Sequence, residues 1–126
     1  MIAPRICSHT GAATTADARR CAKAIANSPL VKTAIHGGDP NWGRLIAVAG
    51  RARVAFDLSR AAVAIGSTVL FKNGRPYDEA APEAAGYLKG KDLTVSVDLG
   101  AGSASSTVWT CDLSAEYVRI NADYRT

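Results

Sequence analysis

Aromatic side chains are scarce in this 126-residue chain, making up 6% of it. The hydrophobic fraction reaches 48% only because so much of it is alanine, which packs helices closely but buries little surface per residue. A chain of this length buries roughly two-thirds of its unfolded surface. It is therefore read as a single domain spanning 1–126, or as one fragment of a larger one whose apolar surface expects a partner. Cysteine is also sparse. Cys7, Cys21 and Cys111 are widely spaced, form no Cys-x-x-Cys pair, and have only His9 and His36 to join them. That excludes a zinc knuckle and a disulfide framework, and favours a reducing, cytoplasmic compartment. No apolar run approaches the roughly 20 residues needed to span a bilayer, and no signal peptide is recognised. A soluble intracellular protein is expected.

The formal charge is +4 and the isoelectric point near 9.2. A basic balance attracts anions, nucleic acid among them. Here the cations are dispersed from Arg19 to Arg119, without interleaved aromatics or a nucleic-acid motif. They read as solvated faces, and no nucleic-acid partner is expected.

Periodicity is clearest from Thr15 to Ala26. Ala18, Cys21, Ala22 and Ile25 fall at i, i+3, i+4 and i+7, which predicts an amphipathic helix capped by Thr14 or Thr15. Asn27-Ser28-Pro29 ends it, because a residue before proline avoids the α region. Leu30–Ile35 is either a helical turn or a brief strand, and His36-Gly37-Gly38 is a connector. Asp39-Pro40 predicts a helix start with Asp39 as cap and Pro40 in the first turn, followed by Trp42, Leu45, Ile46 and Ala49 on one face as far as Gly50. Before all of these, Arg5–Thr10 alternates weakly, as a strand ending at Gly11 would. After them, Ala62–Gly66 and Thr68–Lys72 read as strands, Asn73-Gly74 as a turn, and 79–89 as an alanine-rich helix with Pro82 in its first turn. Leu93–Leu99 alternates cleanly, Gly100–Ser103 turns the chain, and Ser105–Asp112 returns. The expectation is an antiparallel hairpin of these last two strands, then a short helix capped by Ser114. The fold class predicted is α+β, with helices packed on a largely antiparallel or mixed sheet.

Candidate chemistry is thin. Gly100-Ala101-Gly102-Ser103 imitates a phosphate loop, but β-prone residues follow it where a helix N-terminus would be needed. Neither histidine stands in a recognisable nucleophile setting, and Asp98, Asp112 and Glu116 fit no metal-ligand spacing. Two segments remain. Asp39–Arg44 could form a pocket wall, with Asn41 and Arg44 donating to an anionic substrate. Its structural alternative has Asp39 capping, Trp42 in the core and Arg44 paired with a carboxylate. An anion is disfavoured there by the Asp39 charge. At the other end of the chain, Asn121 and Thr126 offer an amide and a hydroxyl that could close a pocket over a polar amino acid, or could belong to a frayed tail.

Two blocks carry a resemblance: Asp39-Pro40-Asn41-Trp42-Gly43-Arg44, preceded by Ala26–Ile35, and the terminal Arg119-Ile120-Asn121-Ala122-Asp123-Tyr124-Arg125-Thr126. Together they resemble the carboxy-terminal part of the ornithine acetyltransferase (glutamate N-acetyltransferase) family of arginine biosynthesis, over about Gly11 to Thr126. The resemblance implies a precursor that cleaves itself before a threonine. That threonine takes acetyl from N-acetylornithine, or from acetyl-CoA in some members, and passes it to glutamate without a metal or resident cofactor. It also implies substrate binding by Asn121 and Thr126, and implies as partners the amino-terminal (alpha) chain and the remainder of the beta chain, in an oligomer. The family's Ala-Thr-Met-Leu cleavage run is absent from these residues, so no catalytic nucleophile is assigned. Where the family has Glu-Gly-Ala-Thr-Lys, ungapped counting places Met1–Arg5, with Met1 in the position of a substrate-binding Glu. A truncated reading frame, a frame-shifted gene or an internal start, inactive alone, is the expectation. The alternative is a non-catalytic interaction or oligomerisation module that kept this fold.

Overall fold

The computed structural model of the chain describes residues 5–111. Strand β1 (Arg5–Ala12) is followed by helices α1 (Thr15–Ala26), α2 (Pro29–His36) and α3 (Trp42–Arg51). Strands β2 (Ala62–Ile65), β3 (Thr68–Lys72) and the two-residue β4 (Arg75–Pro76) come next. A 3-10 turn (Asp78–Ala80), helix α4 (Ala81–Tyr87), β5 (Asp92–Asp98) and β6 (Ala104–Cys111) complete the order. The six strands form one sheet in the order β4-β3-β2-β5-β1-β6. Only β1 and β5 pair parallel, the other neighbours being antiparallel. The α+β class with a mixed sheet is as expected.

Helix α1 follows its periodicity closely. The Thr14 hydroxyl accepts from the Asp17 amide at 3.1 Å, and Ala18, Cys21, Ala22 and Ile25 are buried against the sheet. The open segment Leu30–Ile35 resolves to helix, with the Ser28 hydroxyl as its cap (Val31 N–H at 3.3 Å) and Pro29 in the first turn. The residues that stop α1 thus also start α2. Asn73 (φ 52°) and Gly74 (φ 78°) make the expected tight turn between β3 and β4. Their paired left-handed angles match the twist of a hairpin.

Two expectations are corrected. In the first, helix α3 starts at Trp42, not Pro40, with Asn41 as its cap. The second concerns β5 and β6, which run in opposite directions but do not pair, because β1 lies between them. Thr10 of β1 faces Val97 on one side and Ser106 on the other. A local alternating pattern cannot distinguish a hairpin from a crossover of the same length. Here the Gly100–Ser103 loop spans two strand spacings, roughly 10 Å, across the end of β1. The Leu99 amide donates to the Gly11 carbonyl at 2.9 Å, and a Cβ on Gly102 would sit 2.8 Å from the Ala13 Cα. Residues 114–120, where a terminal helix was expected, lie outside the described residues.

The core is the layer between the sheet and α1–α3. Ile6, Ser8, Thr10 and Ala12 of β1, Val63 and Ile65 of β2, and Leu93, Val95 and Val97 of β5 are all buried. Their register places them in common rows. A bulge in the β2–β3 pairing, where Val63 faces Phe71 but Ala64 faces Val69, buries the consecutive Leu70 and Phe71 together.

The crossover loop yields a stability prediction. Gly74 and Gly100 both have positive φ, but a Cβ at Gly74 meets open space, whereas one at Gly100 lands 2.8 Å from the Arg60 backbone. Gly74→Ala is expected to destabilise by about 1 kcal/mol from backbone strain alone. Gly100→Ala should exceed it by at least about 1 kcal/mol through overpacking, measured as the difference in urea midpoints.

Candidate functional site

The segment from Gly37 to Arg44 is shaped by two adjoining helix ends. Gly37 and Gly38 close α2, with Gly38 at φ 70° and the Asp39 amide donating to the Ala34 carbonyl at 2.8 Å. The chain then turns through Pro40. The Asn41 side-chain oxygen accepts from the Arg44 amide at 3.0 Å, and its Nδ2 donates to Asp39 Oδ2 at 3.3 Å. Asn41 therefore supplies the cap that sequence reasoning gave to Asp39, and Asp39 orients Asn41. The signal was legible in principle, since asparagine ranks with aspartate at this position.

Arg44 and Trp42 tie the segment down. Arg44 Nη1 donates to the Leu30 carbonyl at 2.9 Å, so the guanidinium binds α3 to the first turn of α2 and does not pair with a carboxylate in the described contacts. Trp42 is half-buried and stacks on Phe71 with centroids 5.0 Å apart and an interplanar angle of 23°, while its Nε1 donates to Asp78 at 3.3 Å. One side chain thus links α3, the bulged β3 and the 3-10 turn. Sequence alone marked Trp42 for the core but offered no sign of Phe71 or Asp78 as its partners.

Between α2 and α3 the sheet surface forms a small recess. Val31, Ala34 and Ile35 line it from α2, Leu45 from α3, Ile65 and Val95 from the sheet, and Asp39 and Asn41 from the rim. Its interior volume of about 10 Å³ holds one water-sized sphere. The recess is too small for an amino-acid substrate. Asn41 and Asp39 do form part of its wall, but their polar groups are turned on each other. The structural reading of Asp39–Arg44 is the one these contacts support.

The other candidates fall elsewhere. Gly100–Ser105 joins strand to strand, so no helix N-terminus meets it. Asp98 Oδ1 accepts from the Gly100 amide at 2.9 Å, a turn contact, while Asp112 and Glu116 lie outside the described residues. His9 Nδ1 contacts Thr107 Oγ1 at 3.0 Å across neighbouring strands, and His36 ends α2 on the surface. Cys7, Cys21 and Cys111 are all free thiols, and no group of three metal-ligating side chains occurs among the described residues. No helix among them is long and apolar enough to cross a membrane. Asn121 and Thr126 are outside the described residues.

Sequence reading also missed a buried polar row. The Ser8 and Thr10 hydroxyls lie under α1 without a conventional hydrogen-bond partner among the described residues. Thr10 faces the thiol of Cys21, a weak partner at best. Burial raises the Cys21 pKa above its ordinary value near 9, and the Thr10 contact only partly offsets that. The thiol is held neutral and inert.

A sequence model of the ArgJ family matches residues 6–126. The chain belongs to that family. It is 49% identical over 118 residues to the arginine biosynthesis bifunctional protein ArgJ of Ruegeria pomeroyi, covering 93% of this chain and 29% of that protein. The corresponding protein of Dehalococcoides mccartyi is also 49% identical over 118 residues, with 92% and 29% covered. A crystal structure of the same bifunctional protein from Bacillus halodurans superimposes with a TM-score of 0.88 at 40% identity, covering 96% of this chain and 58% of that one. The chain thus spans less than a third of the length of these curated ArgJ relatives.

The site geometry gives two expectations. Asn41→Ala removes both the cap and the Asp39 contact and should destabilise by about 1 kcal/mol, with Asn41→Ser recovering most of it, in urea unfolding. The second concerns pH. A raised folded pKa at Cys21 means stability is complete below about pH 9 and is lost as pH climbs through the raised value. The fall in urea midpoint between pH 8 and 10 should be steeper in the native chain than in Cys21→Ala.

Proposed function

We propose that this chain forms part of the substrate pocket of a glutamate N-acetyltransferase of arginine biosynthesis, moving acetyl from N-acetylornithine, or from acetyl-CoA, to glutamate. The observation that carries the reading is the family match running through the terminal Asn121-Ala122-Asp123-Tyr124-Arg125-Thr126. It is supported by relatives bearing the name arginine biosynthesis bifunctional protein. In this reading the Asn121 amide and the Thr126 hydroxyl hold the acetylated amino acid. A threonine elsewhere in the ArgJ architecture acts as the nucleophile, because the 126 residues contain no Ala-Thr-Met-Leu run.

The chemistry is ping-pong acyl transfer. The threonine oxygen attacks the amide carbonyl, ornithine leaves with a proton, and the resulting ester is then attacked by the glutamate amine. Each tetrahedral oxyanion needs donors aimed at it, and those too belong to the remaining polypeptide. The partners are therefore the amino-terminal chain and the rest of the beta chain, in an oligomer, in the cytoplasm. The present residues contribute binding and orientation, and the isolated chain is inactive. A second reading, a non-catalytic interaction or oligomerisation module, is favoured by one observation: Val69 and Trp109, on β3 and β6, leave 41% and 58% of their surfaces exposed.

Both readings are tested by grafting. The 126-residue chain alone, mixed with N-acetylornithine and glutamate, is expected to release no ornithine and to gain no acetyl mass. The same residues replacing the matching segment of the Ruegeria pomeroyi protein are expected to restore turnover. In that chimera Asn121→Ala should raise KM about tenfold, the worth of one hydrogen bond to a polar substrate. An inactive chimera that folds sinks the catalytic reading and leaves the module.

A further inference from the structure

Among the lysines and arginines of the described residues, Lys32 alone is buried, at 8% exposed. Its place on α2 makes this unusual. Val31, Ala34 and Ile35 form the inner face of that helix. Helical geometry sets Lys32 about 60° beyond Ile35, at the margin, where a lysine ordinarily carries its ammonium out to water. An ammonium kept from water needs an anion close by, because its lost hydration is otherwise uncompensated. Helix α2 itself, from Pro29 to His36, contains no acid. The carboxylates of the other described elements are engaged in their own contacts or distant. Asp39, Asp57, Asp78 and Asp98 accept from Asn41, Ser59, Trp42 and Gly100. Glu79 and Asp92 pair with Arg75 and Arg5. Asp17 stands in the first turn of α1, whose opposite end leads into α2, and Glu83 is exposed on α4. Three acids remain in the sequence, all following β6: Asp112, Glu116 and Asp123.

We infer that Lys32 is a positioning residue, whose ammonium pairs with the Asp123 carboxylate and so fixes Asn121 and Thr126 beside α2. This rests on the substrate contacts proposed for those two residues and names what holds them. Reach selects the acid. Strand β6 ends at Cys111, which faces Arg5, and Arg5 in turn faces Asp92 on β5. Helix α2 lies over Val95, three residues further along β5. Two strand spacings and three residues of rise make roughly 14 Å along the sheet, with the helix standing above it. Asp112 adjoins Cys111 and is too near. Glu116 gains at most roughly 18 Å when fully extended, and far less in the helical turn that Ser114 predicts. Asp123 has the length to arrive. It also stands between Asn121 and Thr126 in the sequence, so one ion pair orients both groups before substrate binds.

The pairing is tested first in the free chain. A water-soluble carbodiimide joins touching ammonium and carboxylate groups as an amide, with loss of water, and mass spectrometry locates the link. A link between Lys32 and Asp123 is expected, and it should vanish in Asp123→Asn. Lys32→Met and Asp123→Asn should each lower the melting temperature, and the double variant should fall no further than the lower of the two. The positioning role is tested in the Ruegeria pomeroyi chimera. There Lys32→Met is expected to raise KM for N-acetylornithine about tenfold with kcat within about twofold, and Lys32→Arg to recover most of the loss. A link from Lys32 to Asp112 or Glu116, or additive melting shifts, overturns the pairing even in an active chimera. An unchanged KM in Lys32→Met overturns the positioning role. Coupled shifts in the free chain beside an inactive chimera support the pair while removing the acetyltransferase reading.

Discussion

The structure depends on β1 being hydrogen-bonded along both edges at once. Seven of its residues pair parallel with β5, and all eight pair antiparallel with β6. An interior strand must satisfy its amides through its neighbours, because water does not reach them. Its side chains pack the helix layer on one face through Ile6, Ser8, Thr10 and Ala12. On the other face stand Arg5, Cys7, His9 and Gly11. The position of α1 and the path of the Gly100–Ser103 loop both follow from this placement.

Much of the local architecture was legible. Helix α1 could be read to the residue, because period, cap and proline stop agreed. The Asn73-Gly74 turn was equally plain. The order of strands was not legible, because alternation in β5 and β6 records which face is buried and not which strand lies alongside. The weak alternation of β1 concealed its central role for a physical reason: Ser8 and Thr10 are polar yet buried against α1, so hydropathy understated them. The shift of the helix cap from Asp39 to Asn41 came from two adjacent residues with nearly equal capping strength.

The site was legible to a different degree. Family residues identified the chain, but the Asp39–Arg44 block that made it recognisable serves mainly to join α2, α3 and the bulged β3. Asn41 caps, Arg44 clasps the Leu30 carbonyl, and Trp42 stacks on Phe71. A strongly patterned motif can thus be a joint that holds a wall in place. The proposed contacts to substrate rest on Asn121 and Thr126, which follow the last described strand.

The crossover above β1 has a consequence for how the chain acquires its shape during synthesis. The first strand leaves the ribosome with neither neighbour available, since its partners begin at Asp92 and Ala104. Until then it presents two unpaired edges, the condition under which chains associate wrongly. Pairing across so many residues makes sheet closure a late, entropically slow event. The early helices, formed from local signals alone, are the material on hand to shelter that strand in the interval.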